Sequence, residues 1–157
     1  MNIAFYVDSI DEEGSDLIFD CMNSLTNADL VRDATLFYND IGPEPKRSSF
    51  GLFNATELWY FTGHVIATTM ENWFALKKTV NNFNTKYLYQ KFGNNIHILI
   101  DIANQSEVIV KTEEEQKEVY RLTGIKPPIV KNLDSQKLLE VLNEHVWSKS
   151  FKHVSRR

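Results

Sequence analysis

A three-layer α/β sandwich, a mostly parallel sheet with helices on both faces, is predicted by three observations. Short apolar runs alternate with segments of helical periodicity along the chain. The connections between them are short and are punctuated by glycine, proline and asparagine. Helix-start and helix-stop residues fall where one period gives way to the other. Strands alternating with helices imply crossover connections, and hence parallel pairing.

Residues 2–7 (NIAFYV) form an apolar run ending at Asp8 and read as a central strand. After the acidic loop SIDEEGSD, Ser15 or Asp16 caps a helix whose apolar residues Leu17, Ile18, Cys21, Met22 and Leu25 share one face. Residues 34–38 (ATLFY) are a second strand, closed by a loop with Gly42, Pro43 and Pro45. Residues 50–53 read as the third strand and 58–61 as the fourth, with the turn Thr62-Gly63-His64 opening a helix over 66–80. Residues 86–90 are a fifth strand, and 96–103 a short helix for which β-branched content leaves a strand open. Residues 107–111 (EVIVK) are a strand followed by a capping box, Thr112 with Glu115, and a helix that stops at Gly124. Ile129-Val130 make an edge strand, Asp134 caps a last helix over 135–147, and a basic tail occupies 149–157. The whole is one Rossmann-like domain over residues 1–148.

A chain of 157 residues buries one good core. The net charge of −4 argues against an electrostatic grip on nucleic acid. No apolar run is long enough to span a bilayer, and the start lacks a signal-peptide pattern, so the expected setting is cytoplasmic, with no membrane partner. Cys21 is the single cysteine, which excludes an intrachain disulfide and a cysteine-based zinc cage. The spacing of His64, His97, His145 and His153 has no metal-ligand pattern, so no metal is expected. No GxGxxG occurs, and the loop after the first strand carries Asp11, Glu12, Glu13 and Asp16, which repel a pyrophosphate; no cofactor is expected. Aromatics make up 12% of the chain, more than one small core places centrally, so some are expected on a ligand or partner surface.

In an alternating α/β fold, loops at the carboxyl ends of strands converge on the ligand. By that rule Thr62, Gly63 and His64 present a hydroxyl, a glycine and a titratable imidazole to a crevice. The plain alternative is a histidine whose ring satisfies nearby backbone. Asp8 ends the first strand and could orient a ligand or pair with His64; its alternative is a solvated acidic loop. Asp40 and Gly42 follow the second strand and could join the same crevice, although Asn-Asp-x-Gly-Pro is also ordinary turn chemistry. Trp73, Lys77, Lys78, Lys86, Tyr87, Tyr89 and Lys91 interleave aromatics with bases, which read as core rings and solvated lysines rather than a stacking platform.

The segments LFYNDIGPEP (36–45), LWYFTGHVIATT (58–69) and EVIVKTEEEQKEVYRLTG with PPIVKNLD resemble the amino-terminal half of GT-B glycosyltransferases, particularly those of large tailed phages. The resemblance covers most of the chain. It implies an acceptor-side domain in which His64 acts as base on an acceptor hydroxyl or touches the transferred sugar and Asp8 assists, with Thr62, Gly63, Asp40 and Gly42 binding substrate. A sugar or nucleotide sugar is the implied ligand. The donor-binding second domain has no counterpart in these residues, so the resemblance also implies a second protein chain or a homo-oligomer. The alternative is a non-catalytic phage-type interaction protein that binds a host factor or self-assembles on the same scaffold.

Overall fold

The computed structural model describes residues 1–11, 15–79, 83–91 and 94–143. Strands β1 (Asn2–Ser9), β2 (Asp33–Asp40), β3 (Gly51–Asn54), β4 (Gly63–Ala67), β5 (Phe83–Leu88) and β6 (Glu107–Ile109) form a single sheet. Its order is β3-β2-β1-β4-β5-β6 and every pairing is parallel. This is the doubly wound order of Rossmann sheets, in which successive strands are added outward from β1 on one side and from β4 on the other.

Helices α1 (Asp16–Asn27), α2 (Met70–Lys78), α3 (Ile96–Gln105) and α4 (Glu113–Thr123) cover the sheet, together with α5, described over 135–143. Alternation along the strands sends each residue to one of two cores. Ile3, Phe5, Leu36, Ile66 and Ile109 meet Phe19, Met22 and Leu25 of α1 and Leu138 and Leu142 of α5. Ala4, Tyr6, Phe37, Val65 and Tyr87 meet Trp73 and Leu76 of α2, Leu99 of α3 and Val119 of α4. Each fully buried aliphatic or aromatic side chain contributes about 1.5–3 kcal/mol. The α/β three-layer expectation therefore holds, with the sheet wholly rather than mostly parallel.

Local chemistry sets the helix ends. Asn95 accepts from the amides of His97 and Ile98, which makes 96–105 a helix despite its β-branched residues. The amide of Lys137 donates to the Asp134 carboxylate at 2.9 Å, as expected for the cap of α5. Thr112 Oγ1 accepts from the amide of Glu115 at 3.1 Å, and Gly124 closes α4 in the left-handed region with φ 75°. Thr112→Ala is expected to cost about 1 kcal/mol, read as a lower urea midpoint with an unchanged slope.

Several expectations are corrected. Residues 58–61 are not a strand: a 3₁₀-helix spans Ala55–Tyr60, capped by Asn54, whose side chain accepts from the amide of Thr56 at 3.0 Å. The fourth strand is instead Gly63–Ala67, so Thr62-Gly63-His64 leads into a strand and not into a helix. The helix begins later, at Met70, where Thr69 accepts from the amide of Asn72. Lys86 is not solvated but fully buried, in register with Ile66 of β4 and Glu107 of β6. The expected edge strand at 129–130 is reduced to one bridge, Val110 with Ile129. The end of the last helix beyond 143 and the basic tail lie outside the described residues.

Candidate functional site at the carboxyl edge

The sheet order reverses between β1 and β4. The chain leaves β1 toward β2 on one side and leaves β4 toward β5 on the other, and in open α/β sheets the crevice that takes ligands lies outside such a reversal point. Asp8 lies near the end of β1 and Asn39 near the end of β2. Thr68 and Thr69 follow β4, and Asn72 sits in the first turn of α2.

A hydrogen-bond network joins these residues, and its direction follows from donor and acceptor chemistry. The Asp8 carboxylate only accepts, so the side chain of Asn39 must turn its Nδ2 toward Asp8 Oδ1, at 3.1 Å. Asn39 Oδ1 is then left to accept, and the Tyr6 hydroxyl donates to it at 2.6 Å. The second hydrogen on Asn39 Nδ2 goes to Asn72 Oδ1, also at 3.1 Å. Asn72 Nδ2 in turn donates to the Tyr6 carbonyl at 3.3 Å. That carbonyl also accepts from the amide and hydroxyl of Thr68, at 3.1 and 3.3 Å.

Burial of its ring pushes the Tyr6 phenol above its ordinary range; the bond to Asn39 opposes this and the Asp8 charge adds to it. Tyr6 therefore remains a donor at neutral pH and the network keeps one polarity. Asn72 is buried beneath it, whereas Asp8 is exposed. The result is an anchored, exposed carboxylate at the reversal point of the sheet, fit to accept a hydrogen bond or a proton from a hydroxyl group.

Asp40 is at the same edge, opposite Ser9 in the β1–β2 register, and its carbonyl accepts from the amide of Ile10 at 3.2 Å. Gly42 approaches the loop after β1 so closely that a Cβ would stand 2.1 Å from the Ile10 carbonyl oxygen. Its lack of a side chain is needed for that contact, which braces the loop behind Asp8. The structure thus brings Asp8, Asp40 and Gly42 to one edge.

Thr62, Gly63 and His64 lie at the opposite edge. Thr62 accepts from Asn2 Nδ2 at 3.1 Å, and His64 pairs in register with Ile3 of β1 and Asn84 of β5. Asp8 is five residues further along β1 than Ile3, roughly 16 Å at the rise of a strand. No crevice unites His64 with Asp8, because the turn precedes its strand instead of following one. The imidazole is buried, and its Nδ1 has no hydrogen-bond partner among the described residues. Burial, the Lys86 charge and the chain's amino terminus lower its pKa to about 4.

Sequence reasoning left Asn72 out and took Asn39 as turn chemistry alone. The only local sign of Asn72 was its place three residues after the helix-capping Thr69. Farther along the same edge, a cleft of about 780 Å³ lies at the ends of β5 and β6, lined by Tyr89, Lys91, Lys111, Thr112, Glu115 and Glu118. Tyr87 and Tyr89 share one strand face and are buried, as their alternation predicted. Among the described residues, no group of three or more His, Cys, Asp or Glu side chains is placed to hold a metal ion, and no helix is long and apolar enough to cross a membrane. No protein-family model, curated protein or solved structure matches the chain significantly.

Proposed function

We propose that this chain is a hydroxyl-ligand-binding Rossmann-like domain, the acceptor-side half of a glycosyl-transfer system that works with a donor domain outside these residues. The observation that supports this reading is the anchored Asp8 carboxylate at the reversal point of the sheet. Asn39 holds one carboxylate oxygen, which fixes the direction of the group without neutralising it. A sugar hydroxyl reaching the crevice would donate to Asp8, and in a transfer step Asp8 would take its proton as the hydroxyl oxygen attacks the anomeric carbon of a donor. The leaving nucleotide would depart on the donor domain. In this reading His64 supports the amino edge of the sheet and takes no part in chemistry.

The test is a thermal-shift screen against nucleotides, nucleotide sugars and simple sugars, run on the native chain, Asp8→Asn and His64→Ala. A ligand at about 100 times its Kd adds roughly 2.7 kcal/mol, which is roughly 5–10 °C for a domain of this size. The expected result is a shift retained in His64→Ala and lost in Asp8→Asn. A shift retained in Asp8→Asn would move the site elsewhere, and a flat response across the panel would leave the interaction protein as the better account. One observation favours that second reading: Trp59 and Tyr60 stand 62% and 86% exposed on the 3₁₀-helix, and Phe53 beside them is 49% exposed.

A further inference from the structure

On the face that carries α2, α3 and α4, the 3₁₀-helix Ala55–Tyr60 packs beside the outer strands β2 and β3. A depression of about 140 Å³ remains there. Phe37 and Thr35, both buried, form its floor; the exposed rings of Phe53 and Tyr60 form its walls; the exposed carboxylates of Asp33 and Glu57 stand at its rim. The Phe37 and Phe53 rings are 6.5 Å apart and tilted by 39°, and of the two it is Phe53 that is open to solvent. Gly51 makes the arrangement possible, since a Cβ at that position would come 2.8 Å from the Phe53 ring.

We propose that this depression is a binding site for a guanidinium group. Among the described residues its lining holds two carboxylates and no lysine, arginine or histidine, so its charge calls for a cation. Aromatic faces attract a cation through the ring quadrupole. The carboxylates separate one cation from another: a quaternary ammonium has no N–H to give them, whereas a planar guanidinium stacks on a ring and forks its N–H groups to a carboxylate. Thr35 Oγ1 donates to Asp33 Oδ1 at 3.5 Å, which leaves Oδ2 and the second lone pair of Oδ1 to accept such a fork. The volume suits the end of one arginine side chain and not a nucleotide. The site is separate from the Asp8 crevice, and the inference holds whether or not the chain transfers sugars.

The experiment is an NMR titration of the intact chain, following the ring resonances of Phe53 and Tyr60. The probes are N-acetyl-L-arginine amide, free L-arginine, and N-acetyl-L-citrulline amide, which keeps the shape and loses the charge. Saturable shifts with the arginine amide and none with the citrulline amide are expected. Asp33→Asn, Glu57→Gln and Tyr60→Ala should each weaken binding by about two- to fivefold, the range for exposed cation–π and surface ion contacts. All three positions are exposed, so thermal midpoints should stay at the native value. Stronger binding of the amide than of free arginine would identify the source as an arginine within a polypeptide; equal binding would identify a small guanidino compound. No shift with the arginine amide, equal shifts with the citrulline amide, or unchanged affinity in both carboxylate variants would each overturn the proposal.

Discussion

Gly63→Ala is expected to destabilise the fold by about 3 kcal/mol. Gly63 begins β4 with φ 133°, a backbone region that side chains with a Cβ rarely adopt. Space is also lacking: an added Cβ would stand 2.6 Å from the carbonyl oxygen of Asn2 and 2.9 Å from its Cβ. Both obstacles are backbone-proximal and cannot rotate away. The same Asn2 donates from Nδ2 to the Thr62 carbonyl, so displacement would also break the link that seats β4 beside β1. A domain typically has 5–15 kcal/mol in total, so about 3 kcal/mol is a large share. The measurement is urea denaturation, with a lower midpoint at constant slope. A loss under about 1 kcal/mol would show that β4 can begin with another backbone geometry.

Stability is expected to fall by about 2 kcal/mol as pH drops from 6.5 toward 4, through His64 alone. The pKa of the folded state is about 4, against 6.5 for the free side chain. Between these values the unfolded chain takes up a proton that the folded chain does not, so protonation draws the equilibrium toward unfolding. The stabilisation is fully present above pH 6.5 and is lost as pH falls through the folded value. Burial is the main cause, and the charges of Lys86 and the amino terminus add to it. Solvent near the sheet's edge keeps the effect below the full value that the shift implies. Carboxylates titrate in the lower part of the same window, so the measurement is a difference: stability against pH for the native chain and for His64→Leu. The variant should lose the slope between pH 6.5 and 5, and parallel curves would mean that the imidazole is protonated in the folded state.

The fold was legible because its signals are local. Thr112, Gly124 and Asp134 mark their helix ends by side-chain or backbone chemistry within four residues, and the alternation of Tyr87 and Tyr89 reports a shared face directly. The site was only half legible. Leu58–Phe61 is a short apolar run, and such a run does not distinguish a strand from a turn of helix. The better signal was Asn54, a helix cap placed immediately before Ala55. Reading that run as a strand moved His64 from the amino edge of the sheet to the carboxyl edge. Asn39 and Asn72 lie 33 positions apart in the sequence, and nothing in either segment announces the partner. Lys86 misled for a related reason: its burial depends on β4 and β6 flanking it, which its own neighbours do not reveal.

The position of β1 has a consequence for the order of assembly. This strand, which precedes all the other described strands, is flanked by β2 on one side and by β4 on the other, whose pairing residues are 33–40 and 64–67. During synthesis, an apolar ribbon containing Ile3, Phe5 and Val7 must keep one side open until α1, β2, β3 and the 3₁₀-helix have all been made. Non-local parallel pairing is slow, and an unsatisfied strand flank is a template for intermolecular pairing. Nascent chains that stall before Ala67 would therefore expose the future centre of the molecule, and the step that protects it is the docking of β4, not the closure of either outer edge.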